Sequence, residues 1–236
     1  LSVFGQTIVG PIVTSILFLA VISLALGNDR PNVLGVQFIE FLAPGLIAMQ
    51  IIQQAFSHSS SSLLMGKMMG TIVDLIGAPL SAAEVTLATI FAAVTRALII
   101  SIISIIVFSI MIEISINNYL IFITYLFLSS FIMGAIGFIT GLWADKFDHM
   151  STATNFIIVP LSFLSGTFYS VERLPNFLNI LSHYNPFFHM IDGFRYSFIG
   201  KMEGSITFSL AYLSLLSILS WFIAYKLYKK GYKIKS

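Results

Sequence analysis

Apolar residues dominate six stretches of this chain. Each is about the ~20 residues that a helix rising ~1.5 Å per residue needs to cross ~30 Å of hydrocarbon. The pattern predicts membrane-spanning helices at about 4–26, 38–57, 87–112, 120–143, 151–169 and 206–228. Ten-residue polar/apolar alternation, the mark of a barrel strand in lipid, is absent, and helices are the other way to satisfy every backbone hydrogen bond there. Between the first two stretches Gly27-Asn28-Asp29-Arg30-Pro31-Asn32 marks a short aqueous loop, and Asn117-Asn118 does the same between the third and fourth. The expected fold is an all-α membrane protein with six transmembrane helices in a single domain, 1–236.

Two connections carry more pattern than a linker needs. From 67 to 80 the apolar positions are 68, 69, 72, 73, 76 and 80, with Lys67, Thr71 and Asp74 toward another side, which predicts a short amphipathic helix parallel to the membrane. Pro79 should end it, and Ser81 can cap the next helix toward Glu84. The second connection, about 170–204, holds Pro175 and Pro186 yet stays rich in Phe, Tyr, Leu and Ile, too apolar for a free external loop. Asn185-Pro186 reads as an N-cap followed by proline at the first helical position, opening a helix to about Ile199. Such backbone at membrane depth is tolerated only against protein or a wet cavity, so we expect re-entrant half-helices that line or lid a path.

Composition fits this picture. The 236 residues are 57% hydrophobic and 9% charged, against roughly 25% charged in an ordinary soluble domain. The absence of cysteine excludes disulfides, thiol catalysis and thiolate metal sites. Lys67, Lys146, Lys226, Lys229, Lys230, Lys233 and Lys235 lie in the second and fourth connections and the C-terminal tail, which by the positive-inside rule puts both termini in the cytoplasm. The chain opens at Leu1 rather than methionine, so a short preceding segment is expected, and the first helix is too long for a signal-peptide core.

The chemistry-bearing residues argue mostly by exclusion. Gly66-Lys67 lacks the preceding glycine of a phosphate loop, so the chain has no such site for ATP. His183, His189 and Asp192 have a conceivable metal-ligand spacing, but residues of these types on short interfacial helices more often cap ends or meet water; no metal site is expected. Ser57-His58 and the serines through Ser62 lack the elbow and orienting carboxylate of a nucleophile and read as a polar helix end. Gln50, Gln53 and Gln54 either line a cavity or hydrogen-bond between helices. Arg96, about ten residues inside the third span, needs a partner, a wet cavity or a snorkelling path. The acidic residues all fall in loops or near helix ends, which argues against the alternative of an ion-coupled secondary transporter without an ATPase partner.

Three places resemble the ABC-2 type permeases: Phe41 to Gln50 with its Pro44-Gly45, Met69 to Ser81, and Pro160 to Pro175, continued by Asn185-Pro186 and Asp192-Gly193-Phe194-Arg195-Tyr196. The resemblance implies the membrane subunit of an ATP-driven exporter of a lipid, glycan or amphipathic drug-like substrate, in the bacterial inner membrane. It implies a homodimer contacting membrane lipid, with a soluble ABC ATP-binding subunit that carries the ATP and magnesium; no nucleic acid is involved. The ATP-binding subunit would dock at a coupling helix through Lys67, Met68, Met69, Thr71, Ile72, Asp74, Leu75, Ile76 and Pro79. Gly166, Phe168, Tyr169, Glu172, Arg173, Pro186 and Arg195 would belong to the re-entrant region and path, with Gln50, Gln53 and Arg96 as cavity lining. Glu172-Arg173 is expected to form a local ion pair or meet lipid headgroups. The chain itself would be no enzyme.

Overall fold

In a computed structural model, which describes residues 9–26 and 32–233, the apolar stretches form helices whose ends follow from caps, prolines and glycines. Residues 4–8 of the first expected span and 27–31 of the loop after it lie outside the described residues. The helices are α1 Gly10–Leu26, α2 Phe38–Met68, α3 Ile72–Gly77, α4 Ala82–Met111, α5 Tyr119–Trp143, α6 Phe147–Ala153, α7 Val159–Phe163, α8 Asn176–Tyr184, α9 Pro186–Ile199 and α10 Ile206–Lys229. Four of them, α2, α4, α5 and α10, are long and apolar enough to cross a membrane.

The caps sit where the sequence puts them. Ser81 and Glu84 form a reciprocal capping box at the start of α4. Asn118 caps α5 by accepting from the Ile121 amide, and Asn185 caps α9 by accepting from the Phe187 amide.

Two of the expected spans differ in extent from the helices found. The helix expected to stop near residue 57 runs on to Met68. Two of its serines bond within the helix: Ser60 donates to Phe56 O at 2.8 Å and Ser61 to His58 O at 3.3 Å. Ser59 and Ser60 are buried where α5 presents Gly134, Gly137 and Gly141. A Cβ on Gly141 would stand 2.8 Å from Ser60 O, and one on Gly137 would strike Phe56 O, so small residues on both sides bring the backbones together.

The stretch expected as one span at 151–169 is broken. α6 and α7 are separated by a π turn at Thr154–Ile158. Pro160 has no amide to bond the carbonyl four residues back, and the turn N-terminal to it widens.

Helix α2 is the centre of the bundle, packed by α5, α4, α9 and α1, with a core that includes Leu42, Leu46, Ile51, Phe56, Tyr125, Met133 and Phe194. Helix α10 lies outside and is largely exposed. At one end of the bundle lie the start of α2, the loop before α5, α9 and the start of α10, tied by the Asn117 and Asn118 amides donating to Ser197 O at 2.8 and 3.0 Å. At the other end lie the C-terminal ends of α2, α5 and α10 with their lysines.

Candidate functional site

Segments far apart in sequence converge on Arg195, on α9, at the end away from the lysines. The buried guanidinium donates from Nε to Phe41 O at 3.1 Å and from Nη2 to Gly166 O at 2.7 Å. It also lies over the Phe41 ring, 3.7 Å from its centre. Gly166 turns the chain after α7 at φ +78°, in the left-handed region that glycine enters without steric cost. Gly45 makes the approach possible: a Cβ there would stand 2.8 Å from both Arg195 Nη2 and Thr167 O.

The loop after α9 completes this junction. The buried Asp192 carboxylate accepts from the Glu203 amide at 3.2 Å and the Gly204 amide at 2.9 Å, while Glu203 Oε2 accepts from the Val171 amide at 2.8 Å. Burial pushes the Glu203 carboxyl above the usual carboxylate range. Asn185 Nδ2 donates to Ser165 Oγ at 2.8 Å. The arrangement is a polar latch tying α9 and the 165–171 turn to α2.

Between α1 and α2 lies a cavity of about 370 Å³. Gln53 and Gln54 line it, with Leu46, Met49 and Phe168 toward its other part and Gly10, Pro11, Thr14, Ser15 and Phe18 on the α1 side. Gln50 also borders it but is committed to holding helices together: its amide nitrogen donates to Pro11 O and Ser15 Oγ, and its oxygen accepts from Ser104 Oγ of α4. Arg96, midway along α4, turns to α2, where Nη2 donates to Gln54 Oε1 at 3.0 Å and Nη1 meets His58 Nδ1 at 3.1 Å.

The lysine-bearing end is built around the last carbonyls of α5. Lys67 Nζ donates to Leu142 O and Ala144 O, both at 2.8 Å, and Lys233 Nζ donates to Trp143 O at 3.0 Å and to Asp145 Oδ2 at 2.9 Å. Cations thus complete a helix C-terminus whose carbonyls lack intrahelical donors. The bond from Lys233 holds the Asp145 carboxyl below its ordinary range. Beside this anchor, α2 ends in a turn through Gly70, and the short helix α3 follows. Ile72 is buried against Leu63, Phe138 and Leu142, whereas Met68, Met69, Val73, Ile76 and Leu80 form an exposed apolar patch with Asp74 among them.

The profile of the ABC-2 type transporter family matches residues 3–199. This chain belongs to the ABC-2 type transporter family. It is similar to the inner membrane transport permease YadH of Escherichia coli strain K12, 27% identical over 236 residues that cover 100% of this chain and 92% of that protein. It is also similar to nodulation protein J of Sinorhizobium fredii, 22% identical over 219 residues, 92% of this chain and 84% of that one. Nodulation protein J of Neorhizobium galegae is 26% identical over 103 residues, 44% of this chain and 39% of its own. The chain is therefore a membrane transport permease.

Within the permease, the residues singled out from sequence separate by location. Of the coupling-segment residues, Met68, Met69, Thr71, Asp74, Ile76 and Pro79 are exposed, Leu75 is half-buried, Ile72 faces the core and Lys67 is spent on the α5 cap. Lys67 and Met68 end the long helix α2, so the separate helix is shorter than the expected 67–80. Of the re-entrant residues, Gly166 and Arg195 form the latch, Phe168 reaches the cavity, Tyr169 is half-buried and Pro186 opens α9. Glu172 and Arg173 are exposed on a 3-10 turn and do not pair; the ion pair found among the described residues is Lys233–Asp145. His183, His189 and Asp192 each take a separate local partner: Asn179 O, His183 O and the 203–204 amides. Val73 and Leu80 in the patch read from sequence as apolar positions of the 67–80 segment but not as docking residues, and Glu203 in the latch is not singled out there. Both apolar residues lie within the apolar period of 67–80, a signal that could have added them to the docking residues.

Proposed function

We propose that this permease is the membrane half of an ATP-driven exporter in the bacterial inner membrane, working as a homodimer with a soluble ATP-binding subunit on each copy. On this reading α1 and the broken α6–α7 stretch join the four long helices as six passes. Helices α8 and α9 are the half-membrane elements at the outer end, both termini are cytoplasmic, and the cargo is a lipid, glycan or amphipathic compound passing the α1/α2 cavity. Helix α8 suits lipid contact: Phe177, Ile180, Leu181 and Tyr184 are exposed, while Asn179 Nδ2 turns inward to Val171 O at 3.0 Å. ATP and magnesium belong to the partner, since this chain has no phosphate loop.

The observation that carries the proposal is the exposed patch of Met68, Met69, Val73, Ile76 and Leu80 at the lysine-bearing end. Adaptable methionines beside branched side chains suit a groove on a soluble partner, and the adjoining α2 and α5 ends are rigidly joined through Lys67. ATP-driven closure of two such partners would move α3 and thereby the long helices, biasing the bundle between two packings.

The test is affinity purification of the tagged permease from its own cells, with peptide sequencing of what accompanies it. A subunit bearing a phosphate loop, in equal amount, is expected; Val73→Glu or Asp74→Lys should cut its recovery at least tenfold, roughly the effect of losing one strong interface residue, with the permease still folded. A permease that purifies alone and transports under an ion gradient overturns the proposal.

A further inference from the structure

Another cavity lies between α7 and α8. Its volume of about 370 Å³ falls within the roughly 300–1,000 Å³ of small-molecule pockets, and it is lined by five leucines with Ser182, Tyr184, Asn185 and Pro186. No charged side chain is among them. Two of the polar side chains are already spent. Ser182 Oγ donates to Leu178 O at 2.8 Å, and Asn185 donates from Nδ2 to Ser165 Oγ at 2.8 Å while its Oδ1 accepts from the Phe187 amide at 3.1 Å. The Tyr184 side chain is largely exposed.

Polar ties fix the walls. Helix α7 runs into the Gly166 turn, held by Arg195. Helix α8 is tied by Asn179 Nδ2 to Val171 O at 3.0 Å, and the Tyr184 O at its end accepts from the Tyr212 hydroxyl of α10 at 2.9 Å. The gap is therefore preformed, and the leucines that face it lack packing partners on one side. The same ties set its depth. Counted back from Lys226 along α10, the ~20 residues that span hydrocarbon reach Ile206. Tyr212 stands six residues, roughly 9 Å, inside that boundary. On the other side Thr167 O, just past α7, would lie 2.8 Å from a Cβ on Gly45, about two turns into α2. The cavity is thus level with hydrocarbon, where an apolar gap stays free of water. Exposed Leu164 and Leu181 join it to Phe177 and Ile180 on the outward face of α8, so it is continuous with the apolar surface that a membrane protein turns to lipid.

We propose that this groove holds a hydrocarbon chain of a bilayer phospholipid, bound by packing and without preference among headgroups. The chain supplies the missing partners of Leu161, Leu164, Leu178 and Leu181, and the headgroup stays outside a lining that offers it no charge. A lipid tail is as apolar as leucine, so dispersion against a fixed concave wall, rather than escape from water, is what retains it. The site depends on α8 lying within the membrane, as proposed above, and on nothing in the export cycle.

The test is native mass spectrometry of the permease released from nanodiscs of palmitoyl-oleoyl phosphatidylcholine or of the matching phosphatidylglycerol, without any ATPase. A phospholipid retained on each copy is expected from either bilayer. Leu164→Trp and Leu178→Trp each place an indole in the gap and should lower the retained fraction at least about tenfold, the equivalent of roughly ten lost carbon–carbon contacts. Should one variant fail to fold, the other decides. Leu215→Trp, on the exposed face of α10, should retain lipid as the parent does. Absence of retained lipid from the parent, retention from one bilayer only, or retention unchanged in the groove variants overturns the inference. So does a dimer in the parent that the groove variants lose, which would make the groove a contact between copies, or a retained mass that is not disc lipid, which would make it a cargo site. A spin label on Ile180→Cys, addressable because the chain has no cysteine, reports the depth of α8 separately. Relaxation by oxygen more than by a water-soluble nickel chelate is expected. Lipid absent with the label open to oxygen sinks the groove alone; a label open to nickel sinks the membrane placement of α8 and the groove with it.

Discussion

Arg195 shows what one residue decides in this structure. A buried guanidinium is tolerated because its donors meet backbone carbonyls from two other segments, Phe41 O and Gly166 O, and its face meets an aromatic ring. Lysine carries the same charge but has neither the planar fork nor the stacking surface. Arg195→Lys should therefore destabilise the permease by about 2–3 kcal/mol, seen as a fall of ~5–10 °C in the thermal midpoint in detergent. Gly45→Ala attacks the same junction from α2, overpacking it by one methyl group at a cost of roughly 1–3 kcal/mol. An unchanged midpoint in both variants would remove the latch from the account. The motif residues Pro44-Gly45, Gly166 and Arg195 were legible as special in the sequence, but their meeting was not. Sequence places a cation on a helix; the direction it turns depends on carbonyls 29 and 154 positions away in the chain. Lys67 makes the same point, since a lysine in an amphipathic segment looks available to a partner and here caps α5.

At the scale of elements, the ends of α4, α5 and α10 were readable to within a few residues because caps and turn residues announce them locally. Two features defeated the pattern for a shared reason: in lipid, hydropathy reports whether a segment is apolar, not what it packs against. The serines of α2 looked like a helix end because their partner surface, the glycines of α5, lies elsewhere in the sequence. The run at 151–169 looked continuous because the effect of Pro160 falls on backbone N-terminal to it. The tail is an element whose attachment can be titrated. Asp145, held below its ordinary value by the bond from Lys233, contributes fully above its unfolded value of 3.8 and loses that contribution as pH falls through the still lower folded value. Both partners are substantially exposed, at 36% and 45%, so the pair is weak and open to screening by salt. A spin label at Tyr232 should thus gain mobility below about pH 4 and at molar salt, whereas the same label in Asp145→Asn should be mobile throughout. Mobility indifferent to pH and salt would show that the tail is held by other contacts.

Over the whole molecule, one helix visits every feature described. Helix α2 offers Phe41 O and Gly45 to the latch, Gln53 and Gln54 to the cavity, and Met68 to the exposed patch, across 31 residues or roughly 46 Å of helix. Its core packing on α5 is close and glycine-mediated, whereas α1 packs on α2 less extensively and is tied to it by Gln50, which donates to Pro11 O and Ser15 Oγ. The aromatic contact between Phe18 of α1 and Phe168 of the latch turn, ring centres 5.7 Å apart, then closes the latch side of the cavity. If the cavity is the route of cargo, that contact must open in each cycle. The chain has no cysteine, so Phe18→Cys with Phe168→Cys creates a single addressable pair. Joining them with a short bifunctional thiol reagent should leave the ATP-binding subunit attached while lowering ATP turnover of the assembled complex at least about tenfold, since a closure that cannot be completed raises the barrier by ~1.4 kcal/mol or more. Either single cysteine treated alike should turn over normally. Undiminished turnover in the cross-linked pair would mean that cargo passes elsewhere.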